Sequence, residues 1–162
     1  MTAPPPPTLI LSLPSEADTA RLGALLGLAL APGDTLLLDG PVGAGKTHLA
    51  RALIRARLGR MEDVPSPSFT LVQVYDAADA EIWHADLYRL SHSAEVGELG
   101  LEAAFATAIC LIEWPDRLGR LAPSDALRLR LDPDGDGRRA TLTAAPRHAA
   151  LLARIAAGWV PP

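Results

Sequence analysis

Eight consecutive residues carry the clearest chemical signal in the sequence. Residues 40–47, GPVGAGKT, match the pattern G-x-x-x-x-G-K-[ST] at every fixed position. The glycines let the backbone turn sharply, so that successive amides point at phosphate oxygens, while the hydroxyl of Thr47 suits Mg²⁺. The pattern predicts a phosphate-binding loop between a buried strand and a helix. We assign nucleotide binding to Gly40, Val42, Gly43, Ala44, Gly45, Lys46, Thr47 and His48.

Lys46 is also the only lysine in the chain. The sequence contains 15 lysine and arginine residues, and all except Lys46 are arginine. A compact ammonium on a thin stem can reach between phosphate oxygens inside a backbone cradle, whereas a planar guanidinium would collide with the loop. We interpret position 46 as the one basic position at which arginine cannot serve, and we predict a catalytic role for Lys46.

Two acidic residues are candidates for the second half of such a site. Glu113 follows the apolar run ICLI, which places it at the carboxyl end of a buried strand beside the loop, where open α/β sheets bind ligands. Asp86 ends the less apolar segment EIWHAD. We predict that Glu113 and Thr47 serve the metal and that Asp86 is a second metal-side or water-orienting acid. A helix cap or a surface ion pair is the alternative for each acid.

The segment SPSFT, residues 66–70, supplies three hydroxyls on a loop stiffened by proline. It could approach the γ-phosphate as a switch segment. A plain turn that opens a strand is an equally good interpretation.

Other metal sites are not indicated. The segment DPDGDG, residues 132–137, matches the first half of an EF-hand loop, but position twelve falls on Thr143 instead of glutamate, so we favour a hairpin turn. His84 and His92 lack a second histidine or cysteine at zinc-ligand spacing. Cys110 is the only cysteine, and its apolar neighbours predict a buried structural thiol.

The elements that must position these residues follow from turn residues and apolar periodicity. They predict one α/β domain spanning residues 1–162, a P-loop NTPase-like three-layer sandwich with a central, mainly parallel sheet and a C-terminal antiparallel hairpin. Residues 1–7 are expected to be poorly ordered. The predicted strands are 8–13, 35–40, 71–75, 81–86, 108–113, and an edge hairpin of 127–131 with 138–143; the predicted helices begin at a capping box at 15–18 and cover 46–58, 93–105 and 146–159.

Composition restricts the possible partners and the nucleotide. A formal charge of −4 argues against a protein that binds nucleic acid without a partner protein. The N-terminal stretch lacks a basic region before its short apolar run, and no apolar run approaches a membrane span, so we expect a cytoplasmic protein without a membrane partner. The chain contains no asparagine, so an N-K-x-D guanine-reading element is absent. ATP is therefore the expected nucleotide.

The motifs taken together resemble the TsaE family, also called YjeE. The segments GPVGAGKT, SPSFTLV, HADLYRL, ELGLEAAF and LIEWPDR occur in this order over roughly residues 15–139. The pair DLYRL and LIEWP is more specific than the phosphate-binding loop alone. The resemblance implies an Mg²⁺-dependent ATPase of bacterial tRNA threonylcarbamoyladenosine (t6A) synthesis, weak by itself, in a pathway whose other step is catalysed by TsaC. It would act with TsaD and TsaB, and reach tRNA only through that complex.

The resemblance also assigns roles to residues. Lys46 and Thr47 take the phosphate and magnesium roles, Glu113 the second metal role, and Asp86 an essential acidic role. Trp114 and SPSFT fall in segments that surround the nucleotide and the partner interface in the family. The chain departs from the family pattern at Pro41, Val42, Ser68 and Ala85. The changes at Pro41 and Val42 leave the phosphate-binding positions of the loop intact, and Ser68 keeps a hydroxyl.

Two other functions fit the loop. A small-molecule P-loop kinase would use the arginine-bearing segment 116–120 as a lid, although no acceptor pocket can be assigned. A non-hydrolysing module would use ATP only to fix a shape that binds a partner. The acidic charge and the DLYRL and LIEWP motifs favour the ATPase.

Overall fold

The computed structural model describes residues 4–159, which form one sheet with helices on both faces. The strands are β1 (Thr8–Leu13), β2 (Thr35–Asp39), β3 (Val72–Asp76), β4 (Glu81–Asp86), β5 (Ile109–Glu113), β6 (Leu127–Asp134) and β7 (Gly137–Thr143). The helices are α1 (Glu16–Ala29), α2 (Lys46–Leu58), α3 (Ser93–Gly97), α4 (Leu101–Thr107) and α5 (Ala149–Gly158), with 3₁₀ segments at Pro115–Leu121 and Pro146–His148.

The seven strands of the described chain lie in the order β1-β7-β6-β2-β5-β4-β3. The three central pairings, β6 with β2, β2 with β5 and β5 with β4, are parallel, and the outer pairings are antiparallel. This arrangement confirms the predicted α/β fold with a parallel centre. Parallel strands bring their carboxyl ends to one edge of the sheet, which is the edge where the candidate residues were expected.

The β6–β7 hairpin is present, but the prediction that it forms the edge of the sheet was wrong. β1 pairs antiparallel with β7, with Leu9 opposite Leu142, and the amide of Ala144 donates to the carbonyl of Pro7 at 3.0 Å. β1 buries Leu11 and Leu13, so its backbone N–H and C=O groups lie close to the core and need hydrogen-bond partners, which the free side of β7 provides. Poor order was expected for residues 1–7. Residues 1–3 of that segment lie outside the described chain, and residues 4–7 are described.

The central strands are apolar because both of their faces are covered. In β2, Leu36 and Leu38 pack in the cluster beneath α1 and α2, while Leu37 packs on the opposite face with residues of α3 and α4. Strands covered on both sides are expected to lack polar alternation. Cys110 is buried as predicted, and burial raises the pKa of its thiol to about 12. The three-layer arrangement is therefore confirmed.

Two helix boundaries differ from the predictions. The helix expected over 93–105 is two short helices, because Gly100 takes a left-handed conformation (φ 82°) between them. The final helix starts as a 3₁₀ turn at Pro146 before α5 begins. Across residues 4–159, every helix is too short or too polar to cross a lipid bilayer.

A pair of glycines sets the distance between α1 and α2. Gly23 and Gly27 are four residues apart and share the face of α1 that meets α2. A Cβ atom built on Gly23 would lie 2.5 Å from the Leu49 carbonyl oxygen, and one on Gly27 would lie 2.5 Å from the Leu53 carbonyl oxygen. The two backbones therefore touch, and this contact fixes α2, the helix that begins at the phosphate-binding loop.

Gly23→Ala should lower the free energy of unfolding by about 1–3 kcal/mol, because the added methyl forces two packed helices apart. Urea denaturation followed by circular dichroism measures this change. Gly158→Ala is the matched control, since nothing lies within 4 Å of a Cβ at that position. Equal stability of the two variants would contradict the proposed close contact.

Candidate functional site

Three strands deliver acidic residues to the same edge of the sheet. Asp39 ends β2, Asp86 ends β4 and Glu113 ends β5. In the parallel pairing of β4 with β5, Asp86 lies directly beside Glu113, so their side chains project from the same face. The loop 40–45 follows β2 and leads into α2, so the predicted phosphate-binding loop lies next to both predicted acids.

The loop has the open backbone that anion binding requires. Gly45 precedes α2 in a left-handed conformation (φ 101°), and no side chain caps the start of that helix. The first amides of α2 are consequently available to an anion. A Cβ at Gly43 would meet nothing within 4 Å, which shows that this part of the loop faces open space.

Lys46 lies inside the site although it carries an ammonium group. It is only 5% exposed, and its Nζ donates to the carbonyl of Gly40 at 2.5 Å. Nζ also lies 3.5 Å from the centre of the Trp114 ring. Burial lowers the pKa of Lys46, and the nearby carboxylates of Glu113, Asp39 and Asp86 act in the opposite direction. Among the described residues, the recorded contacts of Nζ are therefore with neutral groups, the Gly40 carbonyl and the Trp114 ring.

Glu113 is the centre of a buried hydrogen-bond network. The Thr47 hydroxyl lies 2.9 Å from Oε1 and 3.1 Å from Oε2 of this carboxylate. His84 Nε2 lies 2.7 Å from Oε2. Glu113 is 2% exposed, so these contacts replace the water that a carboxylate needs. Because the Thr47 hydroxyl donates its hydrogen bond to Glu113, the lone pairs of the hydroxyl oxygen can still bind a cation.

Asp86 organises the loop that carries the predicted serines. Its Oδ1 accepts a hydrogen bond from the amide of Tyr88 at 3.0 Å, and its Oδ2 accepts one from Ser68 at 3.4 Å. Ser66 and Ser68 lie 2.7 Å apart through their hydroxyls. Thr70, the third predicted hydroxyl, instead accepts a bond from the side chain of Gln73. Of the three predicted hydroxyls, that of Ser68 therefore contacts the acid, and that of Ser66 contacts Ser68.

Trp114 reaches the site through an unusual backbone conformation. Its φ angle is 58°, in the left-handed region that a residue with a side chain seldom adopts. This conformation directly follows β5 and places the indole over Lys46 and 4.8 Å, centre to centre, from the ring of Tyr88. The aromatic pair forms one wall of the site, and strain of this kind is typical of functional positions.

Two cavities adjoin the loop. The larger has a volume of about 380 Å³ and the smaller about 160 Å³. Most predicted residues line the larger one, whereas Ala44 lines the smaller one and Gly40 contributes the carbonyl that holds Lys46. The larger cavity is lined by Val42, Gly43, Gly45, Lys46, Thr47, His48, Ser66, Ser68, Asp86, Tyr88, Glu113 and Trp114.

Sequence reasoning missed several residues of the site. Asp39 accepts a hydrogen bond from the Gly40 amide at 2.9 Å, and Arg138 donates to the carbonyls of Gly43 and Ala44 at 3.0 and 3.1 Å. The Asp39 carboxylate was visible at the end of a predicted strand, which is the signal that could have identified it. Arg138 and His84 gave no comparable signal.

The donor set fits magnesium. Thr47, Glu113 and Asp86 offer hydroxyl and carboxylate oxygens, which are the ligands that Mg²⁺ prefers. Within residues 4–159, no group of three or more His, Cys, Asp or Glu side chains forms a complete metal cage. Mg²⁺ is usually bound by one or two carboxylates together with substrate phosphates, so an incomplete protein cage beside a phosphate-binding loop is the expected arrangement.

Comparison with known proteins gives a consistent result. The family model described as "Threonylcarbamoyl adenosine biosynthesis protein TsaE" matches residues 13–141. The protein of Rickettsia conorii named "tRNA threonylcarbamoyladenosine biosynthesis protein TsaE" is 38% identical over 128 residues, covering 79% of this chain and 73% of its own. The protein of the same name from Haemophilus influenzae is 35% identical over 138 residues, covering 82% and 87%. A crystal structure of Bacillus subtilis YdiB matches with a TM-score of 0.78 at 26% identity, covering 96% and 98%.

Proposed function

The chain belongs to the TsaE family, and from this membership and its site we propose that it is an Mg²⁺-dependent ATPase required for tRNA t6A modification. The observation that carries the proposal is the convergence of Lys46, Thr47 and Glu113 on one cavity beside the uncapped start of α2. A cation, a hydroxyl and a buried carboxylate around a phosphate-binding loop are the parts that phosphoryl transfer from a nucleoside triphosphate requires.

The larger cavity is the proposed site of the phosphates. Lys46 would exchange the Gly40 carbonyl for phosphate oxygens, and the first amides of α2 would neutralise further charge. Thr47 and Glu113 would hold Mg²⁺, which when bound neutralises the charge that develops on the transferred phosphoryl group. Asp86, fixed by Tyr88 and Ser68, would orient the attacking water.

The smaller cavity is the proposed site of the base and ribose. It shares Gly43, Gly45 and His48 with the larger cavity, so a nucleotide that wraps the loop can occupy both. Its other wall contains Glu16 and Arg138, which come from the start of α1 and from β7. Arg138 already holds two loop carbonyls, so it would couple the loop conformation to occupancy of this cavity.

We propose TsaD and TsaB as partners on the basis of family membership. The net charge of −4 suits a protein that reaches tRNA through a complex instead of by direct contact. We propose that it acts in the cytoplasm, and that hydrolysis resets the TsaD–TsaB assembly between modification cycles. Val42, which lines the larger cavity, is 75% exposed, and Phe69, which follows the cavity-lining Ser68 in the chain, is 86% exposed; we propose these two apolar side chains as part of the partner-facing surface.

The kinase alternative is less well supported. The segment that would form its lid, 116–120, buries Leu118 completely, and Arg117 donates to the Tyr88 carbonyl at 3.3 Å. These contacts tie the segment to the body of the domain. A mobile lid would instead be expected to carry few buried contacts.

Phosphate release by the purified protein tests the proposal. We expect slow Mg²⁺-dependent ATP turnover that rises when TsaD and TsaB are added and falls for Lys46→Ala, Asp86→Ala and Glu113→Ala. ATP turnover that does not change when TsaD and TsaB are added, together with phosphate transfer to a metabolite, would support the kinase. Full modification activity without any hydrolysis would support the binding module.

A further inference from the structure

We propose that His84 is a positioning residue that fixes the metal-side carboxylate of Glu113, an inference that rests on the proposed function. His84 does not line either cavity, so it does not touch the nucleotide in this proposal. It would act only through Glu113, by holding the carboxylate in the orientation that serves Thr47 and Mg²⁺.

The sheet places His84 behind Glu113. His84 lies on β4 two residues before Asp86, so both side chains project from the same face of the strand. The parallel pairing with β5 brings that face beside Glu113. His84 is completely buried, and its Nε2 lies 2.7 Å from Glu113 Oε2. A contact this short between two buried polar groups restricts both side chains.

The surrounding contacts decide which group carries the proton. His84 Nδ1 is buried and has no hydrogen-bond partner in the described chain. If Nδ1 carried a proton, a buried N–H would be left unsatisfied, which is costly. A proton on Nε2 is donated to Glu113 and leaves only an acceptor lone pair without a partner. Since Glu113 also accepts from Thr47, the arrangement that satisfies most groups is a neutral imidazole donating from Nε2 to a carboxylate.

The role of such a contact is to limit where the carboxylate can turn. Glu113 accepts from Thr47 with both oxygens and from His84 with Oε2 alone. Without the His84 contact the carboxylate loses the donor that β4 provides, and among the recorded side-chain contacts of the described residues the Thr47 hydroxyl alone would still hold it. Outer-shell partners of metal ligands typically change metal affinity by about 10- to 100-fold when they are removed.

The chain contains a second buried histidine that serves as a matched control. His148 Nε2 lies 3.0 Å from Oδ1 of Asp34, its Nδ1 also has no partner among the described residues, and it is 4% exposed. Asp34 precedes β2, at the end of the sheet opposite to the loop that follows this strand. Replacing His148 should therefore disturb core packing about as much as replacing His84 does, but it should leave the position of Glu113 unchanged.

The test compares His84→Phe, His84→Gln and His148→Phe in the full chain. Mn²⁺ binding to each protein saturated with a non-hydrolysable ATP analogue is measured by electron paramagnetic resonance. We expect His84→Phe to weaken Mn²⁺ binding by about 10- to 100-fold. His84→Gln, whose side-chain amide can still donate to Glu113, should bind nearly as tightly as wild type, and His148→Phe should match wild type.

A second measurement uses the wild-type protein without metal or nucleotide, so it does not depend on whether a variant folds. Proton NMR of the wild-type protein should show a downfield imidazole N–H signal that exchanges slowly and is assigned to His84 Nε2. Absence of that signal, unchanged Mn²⁺ binding in His84→Phe, or equal weakening in His84→Phe and His148→Phe would overturn this inference alone. Failure of wild type to bind Mn²⁺ with the nucleotide analogue would overturn the proposed function as well.

Discussion

Lys46→Arg should lose at least about 100-fold in ATP turnover, or about 2.7 kcal/mol of transition-state stabilisation, while keeping its fold. The substitution leaves the net charge unchanged, so any loss of turnover would result from the different shape of the side chain at position 46. Lys46 Nζ occupies a space bounded by the Gly40 carbonyl at 2.5 Å and the Trp114 ring at 3.5 Å. A guanidinium is broader than an ammonium and planar, so it would displace the loop or the indole. Steady-state phosphate release measures the loss of turnover, and thermal unfolding shows whether the fold is kept.

The control for Lys46→Arg is Arg55→Lys, the reverse exchange on the same helix. Arg55 donates to the Glu62 carbonyl and does not line either cavity. We expect this variant to retain wild-type turnover. Wild-type turnover in Lys46→Arg would refute the explanation for the single lysine.

Glu113→Gln should reduce ATP turnover by about 10²- to 10³-fold, the range found when one preorganised electrostatic group is removed. The substitution keeps the side-chain shape but removes the negative charge that would help to hold Mg²⁺. The glutamine amide also brings an N–H group into a network in which Thr47 and His84 both act as donors. The Glu113 charge raises the pKa of Lys46, so its loss should lower that pKa further below its ordinary value.

Turnover as a function of Mg²⁺ concentration measures the effect of Glu113→Gln. We expect both a lower maximal rate and a higher Mg²⁺ requirement. Glu102→Gln removes the same charge from an exposed position on α4 and should behave as wild type. A Glu113→Gln protein that matched this control would contradict the proposed role of Glu113 in holding Mg²⁺.

The parts of the site that the sequence predicted depend on local patterns. Spacing within residues 40–47 and the apolar run before Glu113 are sufficient to place a loop and an acid at strand ends, because strand, turn and helix are decided by neighbouring residues. The parallel centre of the sheet follows, since apolar strands without alternation require cover on both faces.

The parts that were missed depend on contacts between distant segments. Arg138 meets the loop across 94 and 95 positions of sequence, and His84 meets Glu113 across 29. β1 lies outside β7 because of a pairing that no local pattern specifies. The left-handed backbone of Trp114 brings its ring onto Lys46 and Tyr88, which are distant from it in the sequence. Sequence reasoning of this kind identifies reactive groups more readily than the residues that hold them.

The most direct test of the central claim is the number of t6A modifications that one TsaD–TsaB complex completes. A reconstituted reaction containing TsaC, TsaD, TsaB, ATP and unmodified tRNA is supplied with either the wild-type chain or Lys46→Ala, and modified nucleoside is counted by mass spectrometry. We predict repeated modification with the wild-type chain and about one cycle per complex with Lys46→Ala. Repeated modification at the wild-type level by Lys46→Ala, verified to hydrolyse no ATP, would contradict the account.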